Sequence, residues 1–447
     1  GEISQQTSND FLSATQDVPE ITRPITLEEA VARALKFNLE HRVQVYENSL
    51  AASQLESGKF DMLPKVLADA GYSWRDNSNS RETSGSSTVS SDRGHVTGQL
   101  SFYWSILDFG LGYYNAKENA DRVLVSVEKR RKVMHSLIQQ VESTFWRAAA
   151  AEKLQDKVLE TISAGEKALI RSRRISTEQL GEPEDALRYQ RNLLENLRLL
   201  GSINNELRIA QTKLANLIAA KPGTKIRLKY NDVILPKTLE ASIKELETLA
   251  LINNPDLRIS HYNSRMAVND TKRTLLKLLP SFGLSIGTNY DSDGFLTNNF
   301  WQSAGLNVSY NLFSILSAPS HYQTARSSLD LASTNRMSIQ LSLLAQIHMS
   351  VKEYEDALTH YSRADDIYEV DTQLAQIAKN KEKSGVSSSL ARISSNVTAI
   401  LSEVRRYHAI ARVRESESRI HATLGIEPQI GSIDETSLAS LTSELQI

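Results

Sequence analysis

The chain has 447 residues, more than one ordinary hydrophobic core accommodates, so we expect two structural halves. Its 51 basic and 53 acidic residues give a net charge of −2 and form no basic stripe, which argues against nucleic-acid binding. Cysteine is absent, which excludes disulfides, thiolate metal sites and a thiol nucleophile. No apolar run of about 18 residues is present, so no transmembrane helix is predicted.

An internal repeat is the most informative pattern. Residues 26–76 reappear without a gap at 242–292, and the shift superimposes Leu35 on Leu251 and Gly71 on Gly287. A repeat of this length is a whole supersecondary unit. The function is therefore expected to belong to a duplicated architecture, with four predicted parts: an N-terminal extended segment 1–24, a first repeat 25–222, a second repeat 223–428 and a C-terminal tail 429–447.

Proline positions indicate where long helices can form. None occurs between Pro64 and Pro183 or between Pro319 and Pro428, and proline breaks helix interiors. Apolar residues recur every seven positions in or near these windows, which favours coiled-coil packing: Val127, Met134, Val141 and Ala148; Leu193, Leu200, Leu207 and Leu214; Ile347, Tyr354, Tyr361 and Tyr368. Helix stops followed by restarts predict turns at about 181–185 and 384–389.

Four segments alternate apolar and polar residues and predict strands at about 65–75, 95–105, 281–291 and 300–312. The serine-rich residues 76–93 and residues 291–299 are expected to be solvated turns joining them in pairs. Each predicted strand is about as long as a tilted β-strand that crosses a bilayer. The residues predicted to face lipid are aromatic or aliphatic: Tyr72, Trp74, Phe102, Trp104, Leu284, Tyr290, Val308 and Tyr310.

A strand covered by a protein core on one side and by water on the other would show the same alternation. The strand length and the aromatic residues near the strand ends favour the membrane interpretation. Four strands cannot close a barrel alone, and an open edge is not tolerated in lipid, so this interpretation requires an oligomer.

At this point the chain resembles the TolC family of outer-membrane efflux and export proteins over residues ~20–428, by the order of its elements. The supporting motifs are Thr26-Leu27-Glu28-Glu29-Ala30, the Leu-Pro pairs at 63–64 and 279–280, and Trp104-Ser105-Ile106-Leu107-Asp108-Phe109-Gly110. The counterpart of this last motif in the second repeat is Tyr310-Asn311-Leu312-Phe313-Ser314, which lacks the Asp-x-Gly part.

The resemblance implies a mainly helical α+β protomer and a homotrimer in the outer membrane of a Gram-negative bacterium. Four strands per subunit would form a twelve-stranded β-barrel, and the helices an α-barrel across the periplasm. Segments 26–36 and 239–253 and the chain ends would form a small mixed domain around the middle. Pro64 and Pro280 would end each helix where the chain enters a strand.

The resemblance also implies that a periplasmic adaptor protein docks at the helical tips, at Gly181, Glu182, Pro183, Gly385, Val386 and Ser387. Many drug-efflux members carry gate aspartates six and nine residues after the second tip glycine; here these positions are Ala391 and Ser394. The candidate gate residues are Glu184, Asp185, Leu187, Lys381, Glu382, Ala391, Arg392 and Ser394. The acidic ones could form a cation-attracting rim or could be helix N-terminal charges favoured by the dipole. Charged residues near the second turn could link subunits or be solvated.

The sequence contains no phosphate loop, no dinucleotide-binding glycines and no metalloprotease motif, and its nine histidines are scattered. We therefore expect no enzyme activity, no catalytic or metal-binding residue and no cofactor. The leading hypothesis is a passive exit duct that receives substrate from an inner-membrane transporter, with an ATP-driven (ABC) transporter favoured. The missing aspartates favour type I protein secretion, of a large adhesin for example, over drug or metal efflux. An envelope coiled-coil protein without a channel is the alternative of another class.

Overall fold

A computed structural model of the chain describes residues 2–83, 86–177, 183–221, 223–230, 241–428, 430, 433 and 435–445. It divides into two compact units. Unit 1 comprises residues 1–46, 129–257 and 340–447, and unit 2 comprises residues 47–128 and 258–339. Several helices run from one unit into the other.

The helices of the first part of the chain are α1 (Glu2–Thr15), α2 (Leu27–Phe37), α3 (Leu39–Lys59), α4 (Ile106–Thr177) and α5 (Pro183–Leu217). Those of the second part are α6 (Ile243–Asn253), α7 (Pro255–Leu276), α8 (Phe313–Lys383), α9 (Ser389–Leu424) and α10 (Leu438–Glu444). The predicted long helices are confirmed, since α4 has 72 residues and α8 has 71. Helix α8 begins six residues before Pro319, so this proline lies inside the helix instead of before it.

Unit 1 is built around an apolar core to which the predicted heptads contribute. Val141 on α4 is fully buried, as are Leu193 and Leu200 on α5, and Ile347 on α8 is almost fully buried. Phe145 and Trp146 pack edge to face within this core, with ring centroids 5.8 Å apart. The seven-residue spacing therefore marks the face that each helix buries, as expected for helix packing of the coiled-coil kind.

Short elements complete unit 1. Helix α2 is capped by Thr26, whose hydroxyl accepts a hydrogen bond from the backbone N–H of Glu29 at 3.2 Å. Ile25 forms a parallel bridge with Leu228. In the C-terminal tail, α10 buries Leu441 in the core that also includes α2 residues. Helix α9 ends at Gly425, in the left-handed conformation with φ 68°, where any Cβ would clash with the backbone of Asn253.

The prediction of an extended N-terminal segment over residues 1–24 is wrong, because residues 2–15 form α1. Glu2–Thr15 contains neither proline nor glycine, so nothing in it interrupts helical hydrogen bonding. Local side-chain bonds support the helix: the Gln6 amide donates to Asp10 at 3.0 Å, and the Thr7 hydroxyl donates to the carbonyl of Ile3 at 2.7 Å.

Unit 2 carries a four-stranded antiparallel sheet in the order β1, β4, β5, β6. The strands are β1 (Lys65–Trp74), β4 (Gly94–Ser105), β5 (Ser281–Asp291) and β6 (Phe300–Ser309). The predicted strands are therefore present, except that β6 ends before residue 312. Asn311 explains the end, because its side-chain oxygen accepts the N–H of Phe313 at 3.1 Å, which turns the chain into α8.

The connection between β1 and β4 is not only a solvated turn, which corrects the expectation for residues 76–93. It contains a second antiparallel pair, β2 (Asn79–Thr83) and β3 (Ser86–Ser91). The Ser90 hydroxyl donates to the carbonyl of Asn79 at 3.0 Å across this pair. The stretch contains Thr88 and Val89, which favour strands, but most of its residues are serines and other polar residues that do not. Its composition therefore did not predict a strand.

Helices α4 and α7 of unit 2 are joined by three ion pairs whose carboxylates are buried. Arg258 contacts Glu128 at 3.1 Å, Arg273 contacts Glu118 at 3.2 Å, and Arg265 contacts Asp121. The side chains of the three acids are at most 6% exposed. We call this set the α4–α7 ion-pair ladder; nothing in the heptad pattern predicted it.

Candidate functional surfaces

The register of the four-stranded sheet places the predicted lipid-facing residues on one face. Val66 is opposite Phe102, Phe102 is opposite Ile286, and Ile286 is opposite Ala304. In the same way Trp104 is opposite Leu284 and Leu284 opposite Leu306. Because side chains alternate along a strand, residues paired in this way share a face. The face is apolar across all four strands.

Much of this apolar sheet face is exposed in the single chain. Leu306 is 85% exposed, Tyr72 69% and Val308 64%. Trp74 and Tyr290 are also exposed, whereas Phe102, Trp104 and Leu284 are half-buried. Tyr310, the remaining predicted lipid-facing residue, follows the end of β6 and is 40% exposed. A contiguous exposed apolar surface of this extent is typical of a surface that another phase or chain covers.

The opposite face of the sheet is mostly polar, although it also carries Leu67, Tyr103 and Trp301. Asn289 on β5 donates from its side chain to the hydroxyl of Ser303 on β6 at 3.0 Å, and Ser285 donates to the carbonyl of Gly305 at 3.3 Å. Pro64 and Pro280 lie where the sequence predicted, directly before β1 and β5. Proline there disfavours helix in the residue before it, so the chain extends at this point.

The second tip turn, between α8 and α9, has the predicted form. Gly385 adopts the left-handed conformation with φ 74°. The N–H of Gly385 donates to the carbonyl of Glu382 at 3.0 Å, and that of Val386 to the carbonyl of Lys381 at 2.9 Å, which is a Schellman motif. Ser388 then caps α9 by accepting the N–H of Ala391. Val386 is 75% exposed, and Ser387 precedes the cap.

The first tip turn is described only from α5 onward. Gly181 and Glu182 lie outside the described residues, and Pro183 is the first residue of α5, a position that proline favours. Glu184 pairs with Arg188 one turn later at 2.7 Å, and both side chains are largely exposed. Asp185 and Leu187 are also exposed. These acids occupy the first turn of α5, where the helix dipole favours negative charge.

The structure brings several predicted gate residues together. Glu382 at the end of α8 pairs with Arg392 in the first turn of α9, within one chain. Ser394 accepts a hydrogen bond from the side chain of Asn196 on α5 at 3.0 Å, and Ser389 meets the hydroxyl of Tyr189 at 3.2 Å. The tip regions of α5 and α9 are therefore hydrogen-bonded to each other beside the positions where the gate was predicted.

Two buried carboxyls between α4 and α9 in unit 1 were not found by sequence reasoning. Glu403 on α9 lies 3.7 Å from Lys153 and 3.5 Å from Lys157 on α4. Glu142 on α4 instead accepts a hydrogen bond from the hydroxyl of Ser418. Burial raises the pKa of Glu142 to about 7, although the Ser418 bond opposes this.

Within the residues that the structure describes, no group of three or more histidine, aspartate or glutamate side chains is arranged to hold a metal ion. Among the helices in that part of the chain, none is both long and apolar enough to cross a membrane.

The elements described define a helix-rich protein with a four-stranded sheet, whose strands lie in the chain between α3 and α4 and between α7 and α8. Solved structures of this kind include the outer-membrane channel OprN, with 17% identity, coverage of 92% of this chain and 95% of that chain, and a TM-score of 0.68. The Campylobacter jejuni CmeC outer membrane channel has 15% identity, coverage of 94% and 90%, and a TM-score of 0.71. The open state of the Neisseria gonorrhoeae MtrE outer membrane channel has 16% identity, coverage of 89% and 88%, and a TM-score of 0.66.

The chain therefore has the fold of the TolC-family outer-membrane channels, as its resemblance predicted. It spans nearly the full length of these structures. No protein-family model and no curated protein sequence matches the chain.

Proposed function

We propose that the chain is one subunit of a homotrimeric outer-membrane exit duct that continues into the periplasm of a Gram-negative bacterium. Three copies of the four-stranded sheet form a twelve-stranded barrel, and the long helices form the periplasmic tunnel. The duct is passive and not an enzyme: an inner-membrane transporter and a periplasmic adaptor deliver the substrate. The channels with the same fold support this assignment.

The observation that carries the proposal is the exposed apolar face shared by β1, β4, β5 and β6. Placing this face in lipid removes its apolar side chains from water, at roughly 25 cal/mol for each Å². In lipid, every backbone N–H and C=O must be paired within the protein. The two edge strands must therefore find partners, which a single chain does not provide.

The strand directions allow closure by identical copies. Neighbours in the order β1, β4, β5, β6 are all antiparallel, so β1 and β6 run in opposite directions. The β6 strand of one copy can therefore pair antiparallel with β1 of the next, and every contact between copies is the same. Such a head-to-tail contact closes into a ring when the rotation permits it, and we propose that three copies close it.

We also propose that the chain arose by duplication, with residues 25–222 and 223–428 as the two copies. Helices at equivalent places in the two repeats have nearly equal lengths, which supports this proposal: α2 and α6 each have 11 residues, α4 and α8 have 72 and 71, and α5 and α9 have 35 and 36. The two tips, including Gly181 and Gly385, are the proposed adaptor-docking sites, and the residues around Arg392 and Ser394 form the proposed periplasmic gate.

For the transporter, we propose an ATP-driven type I secretion partner and a protein cargo, a large adhesin for example. Ala391 and Ser394 stand where an aspartate ring of drug-efflux members would lie, so the mouth lacks those six carboxylates in a trimer. Drug or metal efflux is the second candidate, because it needs the same barrel and tunnel.

Deletion of the gene tests these candidates in one strain. Secreted and surface proteins are compared with drug and metal susceptibility, with a plasmid copy restoring the wild type as control. Loss of one large exported protein with unchanged susceptibility supports type I secretion. Hypersensitivity with an unchanged set of exported proteins identifies an efflux exit. Loss of envelope integrity without either export defect favours a structural coiled-coil protein and contradicts the duct.

A further inference from the structure

A small cavity in unit 1 lies between α4 and α9 and is lined by several polar side chains. Its volume is about 230 Å³, and its wall includes His135 and Glu142 of α4 and Ser418 and His421 of α9. The Glu142 residue is 5% exposed and His135 is 6% exposed. The His135 Nε2 atom is buried and has no hydrogen-bond partner among the residues described. A cavity with buried polar groups, one of them unpaired, is unlike an ordinary coiled-coil interior.

Among the described residues, no lysine or arginine forms an ion pair with the Glu142 carboxyl, and its hydrogen-bond partner is the neutral Ser418 hydroxyl. Arg414 in the cavity wall attracts Glu142 without pairing with it and forms its ion pair with Glu417 at 3.1 Å. Arg131 is held by Glu427. A carboxylate buried without a cation is strongly unfavourable, so the carboxyl keeps its proton when the helices are packed.

Other titratable and charged groups lie near Glu142 and its partner Ser418 on every element packed there. They are His135 and Arg131 on α4, Arg414, Glu417 and His421 on α9, Glu427 after α9, and Tyr354 on α8. His135 does not supply the missing positive charge, because burial lowers its pKa to about 4. Between about pH 4 and about pH 7, both His135 and the packed form of Glu142 are therefore mostly without charge.

Glu403 provides an internal comparison on the same two helices. It is as buried as Glu142, but Lys153 and Lys157 of α4 lie within 4 Å of it. The two lysines therefore join α4 to Glu403 on α9, whereas the hydrogen-bond partner of Glu142 is a neutral hydroxyl.

We infer that the Glu142 carboxyl is a buried proton-binding site whose ionisation loosens the packing of α4 against α9 around the cavity. The inference concerns this pair of helices and does not depend on the proposed duct. Loss of the proton leaves a charge that only water can stabilise, and water reaches it when the helices separate. A rise in pH therefore shifts the equilibrium toward the separated helices, as a ligand that binds only the separated form would.

The sign of the effect follows from the two pKa values of the carboxyl. Its pKa is about 7 when packed and about 4.5 in contact with water, so the packed form binds the proton more tightly. The contact is then most stable at low pH and weakens as pH rises toward the higher value. His135 contributes with the opposite sign: burial lowers its pKa from 6.5 to about 4, so its contribution to the stability of the contact rises with pH between these values. A loss of stability between about pH 6 and about pH 8 therefore cannot come from His135.

Hydrogen exchange of the purified full-length protein in detergent tests this inference. Amide protection in residues 135–149 and 411–424 is measured at several pH values and corrected for the intrinsic exchange rate. Because His135 contributes equally to both proteins, linkage predicts that the ratio of wild-type to Glu142→Gln protection falls about tenfold between about pH 6 and about pH 8. In Glu142→Gln, which keeps the hydrogen-bonding shape without a charge, only the His135 contribution remains, so protection should rise with pH over this range.

Glu403→Gln is the matched control: it should lower protection at both pH values and keep the pH dependence of the wild type. Ser418→Ala removes the bond that favours the ionised form, so the change should move to higher pH, which tests the inference even if Glu142→Gln fails to accumulate. Any of three results would overturn the inference: the wild type and Glu142→Gln show the same pH dependence, Glu403→Gln loses the pH dependence of the wild type, or the midpoint does not move in Ser418→Ala.

Discussion

The two units of the molecule distribute polarity in opposite ways. In unit 1 the helices bury apolar heptad residues such as Val141, Leu200 and Phe145. In unit 2 the same helix α4 buries Glu118, Asp121 and Glu128, which pair with arginines of α7, while the apolar side chains of the sheet are exposed. A protein surrounded only by water does not leave such a sheet uncovered. The difference shows that unit 1 buries its apolar heptad residues within the chain, whereas the apolar sheet face of unit 2 is left for another phase or chain to cover.

The largest expected effect is on this apolar sheet face. Leu306 and Asn307 are neighbours on β6 and belong to opposite faces of the sheet. Leu306→Asp places a charge on the face proposed to meet lipid, at a cost of at most roughly 2–4 kcal/mol per subunit near the bilayer midplane, and should abolish recovery of the protein in outer membranes. Asn307→Asp should leave recovery unchanged. Outer-membrane fractionation and immunoblotting measure both, and equal recovery would mean that the face is not in lipid.

A smaller contrast is expected within helix α4. Val141 is fully buried in unit 1, whereas Val127, two heptads earlier in unit 2, is half-buried. Val141→Ala should reduce the local free energy of unfolding by about 2–3 kcal/mol, because two buried methyl groups are lost and a cavity remains. Val127→Ala should cost less than about half as much. Native-state hydrogen exchange measures the two values, and equal losses would show that both units use an apolar core.

The ion-pair ladder can be tested at Arg273. Arg273→Gln leaves Glu118 buried without its ion-pair partner Arg273, which is itself partly exposed, and should destabilise unit 2 by about 1–3 kcal/mol at neutral pH. Burial already raises the pKa of Glu118, and loss of Arg273 removes the larger of the two arginine contributions that oppose this rise. The destabilisation should therefore fade as pH falls and Glu118 binds a proton. Restoration of stability in Arg273→Gln combined with Glu118→Gln, measured by hydrogen exchange, would identify the pair as the cause; no restoration would contradict it.

The smallest effect is expected at the second tip. A Cβ on Gly385 meets no atom within 4 Å, so Gly385→Ala acts only through the positive φ of 74°. It should reduce the local stability of the turn by about 1 kcal/mol, and Gly385→Asn by less, because asparagine tolerates this conformation. Exchange rates of the amides around Val386 measure the change, and identical rates in both variants would argue against conformational strain.

The sequence predicted the features that depend on local pattern. Proline-free windows and heptads indicated α4, α5, α8 and α9, and alternation indicated the four strands of the main sheet. Glycine and serine at 385 and 388 indicated the second tip turn, whose capping bonds depend only on nearby residues.

What the sequence did not predict depends on distant neighbours or on weak local signals. Glu142 and Glu403 are both helix glutamates, and only the packing of α4 against α9 gives one two lysines and the other a serine. The α4–α7 ladder requires the antiparallel placement of two helices far apart in the chain. Helix α1 and the β2–β3 pair lack the periodic apolar residues from which elements are inferred.

The central claim is that the exposed sheet lies in lipid and closes with two further copies of the chain. The most direct test is the mass of the particle extracted from the outer membrane in mild detergent, after subtraction of the bound detergent. Three chains of 49.9 kDa give a protein mass of about 150 kDa, which is the predicted result. A single chain of 49.9 kDa, recovered from the periplasm without detergent, would contradict the account.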